Sequence, residues 1–182
     1  MEKSIAFKNL LEKIEKRTAK VCVMGMGYVG LPLAIEFCKA GYTVYGYDIN
    51  EEKVGKLKRC ESYVDDVKNE DLKSVVCGER LIPTTDISVI RDSDAVLIAV
   101  PTPLNKTKDP DISYIIDATE KIKKNIHPEI IIVLESTTYP GTTEELILPA
   151  LESTGLKVGI DFFLAFSPER VDPGNKYYGI HN

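Results

Sequence analysis

The chain has 182 residues, with 23 basic and 28 acidic side chains and a formal net charge of −5. Hydrophobic residues make up 43% of the chain, which is typical of a globular protein and excludes a disordered one. A pI near 5.2 argues against a domain built to hold a nucleic-acid backbone. The longest aliphatic run, residues 95–100, is far shorter than the roughly 18 residues of a transmembrane helix, and no apolar signal segment opens the chain. We therefore expect a cytoplasmic protein with neither a nucleic-acid nor a membrane partner.

The four cysteines, Cys22, Cys38, Cys60 and Cys77, are far apart in sequence, and none forms a Cys-x-x-Cys pair. With only two histidines available to join them, we expect no metal site and no disulfide framework. Cys22 and Cys38 have apolar neighbours and are interpreted as buried hydrophobic residues. Cys60 and Cys77 lie in polar stretches and are candidates for exposed thiols. No histidine or cluster of positive charge lies beside any of them to lower its pKa, which argues against a catalytic thiol.

The first predicted element is a short amphipathic helix at residues 3–17. Its apolar stripe at helical spacing consists of Ile5, Leu10, Leu11 and Ile14. We expect this helix to pack on the remainder of the chain, with its basic side chains forming a solvated face. The chain is accordingly divided into an N-terminal helix, residues 1–18, and one domain, residues 19–182.

Residues 21–59 alternate between strand and helix. A short apolar run at 21–24 predicts a strand, and residues 29–40 predict a helix closed by Gly41 at its C′ position. Residues 42–47 are rich in β-forming side chains, and residues 51–59 form a charged helix. This order is typical of a parallel βαβ unit.

The same alternation continues to the end of the chain. Residues 95–100 are apolar on both faces, which predicts a strand in the centre of the sheet. The other predicted segments are a loop with a short helix at 61–80, strands at 81–84, 130–134 and 162–166, a helical turn at 86–91, and helices at 112–125 and 140–155. The sequence therefore predicts an α/β fold with a doubly wound parallel sheet, in which ligands bind beyond the C-terminal ends of the strands.

The loop after the first strand reads Gly-Met-Gly-Tyr-Val-Gly at residues 25–30. In a dinucleotide-binding loop Gly25 permits the tight turn, Gly27 lets the backbone approach a diphosphate, and Gly30 lets the helix pack closely on the strand. The helix N-terminus adds free N–H donors and partial positive charge. We predict that Gly25, Gly27, Tyr28, Val29 and Gly30 bind a cofactor; a tight turn that binds nothing is the alternative.

Asp48, at the end of the next predicted strand, indicates which cofactor is bound. Its carboxylate can accept hydrogen bonds from both ribose hydroxyls and would repel the 2′-phosphate of NADP, so we predict NAD. Lys53 lies five residues further on. It is interpreted either as a contact of the adenosine half or of a cofactor phosphate, or as a surface lysine on a helix.

Two later loops supply hydroxyl groups at strand ends. Val100, Pro101 and Thr102 place a hydroxyl and a rigid backbone where the nicotinamide ribose should run. Ser136 and Thr137 come after the next strand and precede a helix, so they predict cofactor contacts, N-capping, or both.

The loop at residues 166–175 carries an acid, a base and a second acid. Such a sequence is more polar than a simple connection needs, which makes Glu169 and Arg170 candidate site residues. A surface loop with an internal ion pair is the alternative.

Four segments in this order, residues 25–34, 100–103, 135–144 and 167–174, resemble the nucleotide-sugar 6-dehydrogenases of the UDP-glucose/GDP-mannose dehydrogenase family. The resemblance is greatest to the branch that acts on UDP-N-acetylhexosamines. It implies oxidation of the sugar C6 alcohol to a carboxylate with two NAD, through an aldehyde held by a cysteine. In the UDP-glucose branch a second glutamate stands where this chain has Pro173, so the role of that glutamate is not carried over.

The resemblance implies that Thr137 positions a catalytic water, that Glu169 takes part in acid–base steps at the sugar, and that Arg170 contacts the substrate. The family's catalytic cysteine, lysine and asparagine belong to a central helix and a UDP-sugar domain beyond the cofactor domain, and no residue before Asn182 matches them. We therefore expect this chain to bind NAD without turnover, and the longer protein to bind a UDP-N-acetylhexosamine and form a homo-oligomer.

Two alternatives stay open at this point. One is a stand-alone NAD-binding or sensing module, against which the polar loop at 167–175 argues. The other is the cofactor domain of a β-hydroxyacid dehydrogenase relative, which would need a catalytic lysine on a long helix after the sheet.

Overall fold

A computed structural model describes residues 4–104 and 110–168. In these residues a sheet of parallel strands has the order β3-β2-β1-β4-β5-β6. The strands are β1 (Lys20–Met24), β2 (Thr43–Tyr47), β3 (Leu81–Thr84), β4 (Ala95–Ile98), β5 (Ile131–Leu134) and β6 (Phe163–Phe166). The order reverses between β1 and β4, so the loops after these two strands diverge and leave a crevice between them. β4 lies between β1 and β5, which confirms its predicted central position.

Helices cover both faces of the sheet. They are α1 (Ile5–Glu15), α2 (Gly30–Lys39), α3 (Glu51–Lys58), α4 (Asn69–Cys77), α5 (Ser113–Lys123) and α6 (Leu148–Glu152), together with a 3-10 helix at Ile87–Asp92 and a π-helical segment at Thr142–Ile147. Each described helix falls short of the length and apolar character needed to cross a bilayer.

The side chains of β1 alternate between two hydrophobic cores, as the pleat of a strand requires. Val21 and Val23 enter the core that contains Leu31 of α2. Cys22 and Met24 enter the opposite core, which contains Ile115 of α5. Both faces of the sheet are therefore buried, and the predicted doubly wound α/β fold is confirmed.

Single residues explain where α2 ends and where the helical stretch before α6 changes its hydrogen bonding. Gly41 adopts φ +100° immediately after the last residues of α2, which confirms its predicted C′ role. The predicted helix at 140–155 is confirmed over residues 142–152, but it is divided into a π-helical segment and α6. Pro149 explains the break, since it has no N–H to donate to the carbonyl four residues earlier, and the hydrogen-bond ladder changes register there.

The N-terminal helix buries a narrower face than its sequence suggests. Ser4 caps α1 by accepting a hydrogen bond from the Phe7 N–H. Ala6 and Leu10 are buried, whereas Ile5 is 76% exposed and Leu11 is 37% exposed, so the prediction that Ile5 and Leu11 face the domain is wrong. The buried face has a strict four-residue spacing, which places both of them off its axis.

α1 lies along the N-terminal ends of the strands. The Phe7 ring contacts the Phe163 ring edge-on, with 5.8 Å between centroids. The Lys13 ammonium lies 2.7 Å from an Asp94 carboxylate oxygen, and the other oxygen of Asp94 accepts a hydrogen bond from the Lys20 N–H. α1 thus packs at the edge of the sheet opposite the C-terminal strand ends.

The cysteines agree with the sequence prediction except at Cys60, which is half-buried and not exposed. Cys22 and Cys38 are buried, and burial raises the pKa of both thiols to about 12, so both are protonated at neutral pH. Cys60 is half-buried and Cys77 is exposed. Burial, together with a hydrogen bond to the Cys77 thiol, raises the pKa of Cys60. The pKa shifts of Cys22, Cys38 and Cys60 are all upward, the opposite of the lowered pKa of a reactive thiolate.

Candidate functional site

The loops after β1, β2, β4 and β5 form a groove at the C-terminal edge of the sheet. The groove consists of two adjoining cavities of about 230 Å³ and about 340 Å³. Five residues line both cavities and make them continuous: Gly25, Asp48, Lys53, Val100 and Pro101. The structure therefore brings residues from three separate predicted motifs to one site.

The glycine loop at residues 25–30 depends on two very close backbone contacts. A Cβ atom on Gly25 would lie 2.6 Å from the Ala99 carbonyl oxygen, and Gly25 also has φ +97°. A Cβ atom on Gly30 would lie 1.8 Å from the Gly25 carbonyl oxygen. These contacts let the start of α2 lie directly against the end of β1.

Gly27 is different, because no atom lies within 4 Å of the position that its Cβ would occupy. It lines the larger cavity together with Tyr28 and Val29, and Tyr28 is 59% exposed. The absence of a side chain at Gly27 therefore leaves room for a bound group to approach the backbone at the N-terminus of α2.

Asp48 connects the end of β2 to the glycine loop. One oxygen of its carboxylate accepts a hydrogen bond from the Met26 N–H at 2.9 Å, and the other accepts one from the Asn50 N–H at 2.9 Å. The residue is buried, but it lines both cavities. Because each carboxylate oxygen has two lone pairs, both can still accept a hydrogen bond from a ligand.

Lys53 lies beside this carboxylate, with its Nζ atom 3.8 Å from an Asp48 oxygen. Its side chain is 40% exposed, so the ion pair contributes at most about 1 kcal/mol to stability. The structure thus places Lys53 in the groove rather than only on the surface of α3.

The smaller cavity contains residues that the sequence analysis did not identify. At the end of β2 and just beyond it these are Tyr47, Ile49 and Asn50, and from one face of α5 they are Tyr114, Asp117, Ala118 and Lys121. The spacing of the α5 residues is helical and marks one face. The sequence could have identified that face, but only the strand order shows that it lies opposite the end of β2.

The larger cavity ends at the loops after β4 and β5. Thr102 lines it, and so do Ser136 and Thr137. The Ser136 hydroxyl donates to the carbonyl oxygens of Val100 and Ile98, at 2.8 Å and 3.1 Å, and so joins the two strand ends. Thr137 is exposed to the groove.

Two further findings concern the loop after β5. Glu135, which the sequence analysis did not single out, is buried and lines the larger cavity. The alternative interpretation of Ser136 and Thr137 as N-capping residues is wrong. The next helical segment has Gly141 at its N-cap position, and glycine has no side chain with which to cap the helix.

Two predicted site residues, Glu169 and Arg170, lie outside the described residues. Within residues 4–104 and 110–168, no group of three or more His, Cys, Asp or Glu side chains is arranged to hold a metal ion.

The chain is similar to known proteins over most of its length. The NAD binding domain of the UDP-glucose/GDP-mannose dehydrogenase family matches residues 19–182. The chain is 40% identical to protein CapL of Staphylococcus aureus, over 87% of this chain and 36% of that protein. It is 39% identical to the UDP-N-acetyl-D-glucosamine 6-dehydrogenase of Pseudomonas aeruginosa, over 88% of this chain and 37% of that enzyme.

A solved structure shows the same similarity. The NDP-N-acetyl-D-galactosaminuronic acid dehydrogenase of Methanosarcina mazei Go1 superposes with a TM-score of 0.80 at 37% identity, covering 91% of this chain and 38% of that one. The chain thus spans little more than a third of the length of the relatives it matches.

The different surroundings of Gly27 and Gly30 can be tested by measuring the stability of alanine variants. Gly30→Ala would force a methyl group into the Gly25 carbonyl oxygen, and we expect it to lower the free energy of unfolding by more than about 4 kcal/mol. Gly27→Ala meets no neighbour and should change it by less than about 1 kcal/mol. Urea unfolding of both variants measures the difference. Similar losses for the two variants would contradict the described geometry of the loop.

Proposed function

The chain belongs to the UDP-glucose/GDP-mannose dehydrogenase family, whose NAD binding domain it contains, and from this premise we propose that the groove binds one NAD molecule along its whole length. The observation that carries the proposal is the open backbone position at Gly27, beside the buried carboxylate of Asp48. A dinucleotide needs both features at this spacing, one for its diphosphate and one for its adenosine ribose.

The adenosine half fits the smaller cavity. Asp48 accepts hydrogen bonds from the two ribose hydroxyls, while its other lone pairs stay with the backbone amides of Met26 and Asn50. Ile49, whose side chain is exposed, and the α5 face that carries Ala118 line this cavity and would supply apolar surface to the adenine ring. Lys53 lies at the junction of the two cavities, where it balances the charge of the diphosphate.

The diphosphate fits the glycine loop. Gly27 leaves the space, and the N-terminus of α2 supplies amide donors and partial positive charge. Gly25 and Gly30 act indirectly, by allowing the turn and the helix to approach each other closely. Tyr28 and Val29 line the same stretch of the groove.

The nicotinamide half fits the end of the larger cavity. Val100 and Pro101 form one wall, and the Thr102 hydroxyl lies where it can bind the second ribose. Ser136 holds the two strand ends together, and Thr137 presents its hydroxyl to the groove, where it can orient a water molecule. When bound, NAD supplies a hydride acceptor at this position.

For the longer protein we propose oxidation of the C6 alcohol of a UDP-N-acetylhexosamine to a carboxylate. Relatives that share the domain are called UDP-N-acetyl-D-glucosamine 6-dehydrogenase and UDP-N-acetyl-D-mannosamine dehydrogenase, which supports this substrate class. Converting an alcohol to a carboxylate removes two hydrides, so two NAD are reduced, and one water supplies the second oxygen. In this proposal Glu169 takes part in the acid–base steps, Arg170 contacts the sugar nucleotide, and the longer protein is a homo-oligomer.

The choice of cofactor can be tested by thermal unfolding of the chain. At about 100 times its Kd, NAD stabilises the folded state by about 2.7 kcal/mol, which corresponds to a rise in Tm of roughly 5–10 °C. NADP at the same concentration should raise the Tm much less, because Asp48 repels its 2′-phosphate. Asp48→Asn should make the rise in Tm with NADP closer to the rise with NAD. Equal shifts for NAD and NADP in the unmodified chain would contradict the role given to Asp48.

The proposed chemistry can be tested in the longer protein with a panel of UDP-sugars. Glu169→Gln should lower kcat by about 100-fold or more, since it removes an acid–base group, while NAD affinity changes less than about twofold. Glu129→Gln is the matched control, because Glu129 hydrogen-bonds to Asn9 at the other edge of the sheet. Unchanged turnover in Glu169→Gln would refute its role.

A further inference from the structure

Tyr63, in the segment between α3 and α4, forms a hydrogen bond with the glycine loop. Tyr63 is half-buried, and its hydroxyl donates a hydrogen bond to the Met26 carbonyl oxygen at 2.6 Å. The N–H of Met26 donates to Asp48 at 2.9 Å. Met26 is the central residue of the Gly-Met-Gly turn, so the turn is held at both of its backbone polar groups from two different elements.

The bond from Tyr63 determines the direction of the next amide. The Met26 carbonyl and the Gly27 N–H belong to one planar trans peptide, in which they point in opposite directions. When Tyr63 holds the carbonyl on its own side, the Gly27 N–H faces the other way. Gly27 lines the larger cavity, and in the described part of the chain its N–H has no hydrogen-bond partner.

The Tyr63 hydroxyl stays a donor over a wide pH range. Burial, with a further contribution from the negative charge of Asp48, raises the pKa of Tyr63 well above its usual value. Its ring also lies beside Lys53, whose Nζ atom is 5.8 Å from the ring centroid and 3.8 Å from the Asp48 carboxylate. Tyr63 itself lines neither cavity, so it acts through its neighbours.

We propose that Tyr63 is a positioning residue for the cofactor: by fixing the Met26 carbonyl, it aims the Gly27 N–H at the diphosphate. The inference rests on the proposed binding of NAD in the groove and deepens it. Without the tyrosine hydroxyl, the freedom of Gly27 on one side of this peptide would let the peptide rotate, and part of the binding free energy would be spent on restoring its direction.

The test compares two variants that each lose a tyrosine hydroxyl bonded to a backbone carbonyl. Tyr63→Phe removes the bond to Met26. Tyr42→Phe removes the 3.0 Å bond from Tyr42 to the Ile14 carbonyl at the N-terminal edge of the sheet, together with the bond that the Tyr42 hydroxyl accepts from Arg17. Isothermal titration at 10 °C gives the Kd of each variant for NAD, ADP-ribose and adenosine, and thermal melts show that each titrated sample is folded. Adenosine is the diagnostic ligand because it lacks the diphosphate.

We expect Tyr63→Phe to weaken NAD and ADP-ribose about three- to tenfold, the effect of one hydrogen bond, and to leave adenosine within about twofold of the unmodified chain. Tyr42→Phe should leave all three affinities within about twofold. Unchanged NAD affinity in Tyr63→Phe would overturn the inference, and so would an equal loss for adenosine, which would indicate a general structural effect. If the unmodified chain itself failed to bind NAD, the proposed function would be wrong as well.

Discussion

The hydrogen bond from the Met26 N–H to the Asp48 carboxylate links the two strand ends on which the site depends. It joins the loop after β1 to the end of β2, so the carboxylate and the glycine loop keep a fixed separation. Asp48 therefore serves both the protein and the proposed ligand: its inner lone pairs bind backbone amides, and its outer ones face the groove. The Asp48 carboxylate can be buried here because hydrogen bonds from these two amides replace those that it would make with water.

The close backbone contacts around this bond explain why glycine is needed at two positions and useful at a third. Gly25 and Gly30 are required by contacts that are complete in the protein alone. Gly27 has no such contact, and in the proposed mode of NAD binding its missing side chain leaves room for the diphosphate. This difference separates the structural part of the motif from the part that faces the ligand.

Much of the fold could be predicted from the sequence because hydrophobic periodicity and turn residues are local signals. The strand at β4 and the C′ position of Gly41 are examples. The same local reasoning failed where packing decided the outcome. Ile5 and Leu11 are as apolar as Leu10, but only the helix axis relative to the sheet determines which of them is buried.

The sequence motifs of the site could be predicted, but the way in which the fold brings them together could not. Asp48 and the glycines belong to a known spacing, whereas Tyr63 lies in a polar stretch with weak patterning, and its contact with Met26 spans 37 residues of sequence. From the sequence alone, Ala118 and Lys121 are recognisable only as parts of an amphipathic helix. Their place in the groove becomes clear from the strand order, which puts α5 beside the end of β2. Contacts between residues this far apart in the chain produce no local pattern in a single sequence.

The most direct test of NAD binding in the groove is a crystal structure of the chain grown with saturating NAD. We expect one extended dinucleotide in the groove, with its diphosphate against the Gly27 N–H and its adenosine ribose hydroxyls on Asp48. An empty groove, or a dinucleotide whose diphosphate lies away from the glycine loop, would contradict this mode of binding.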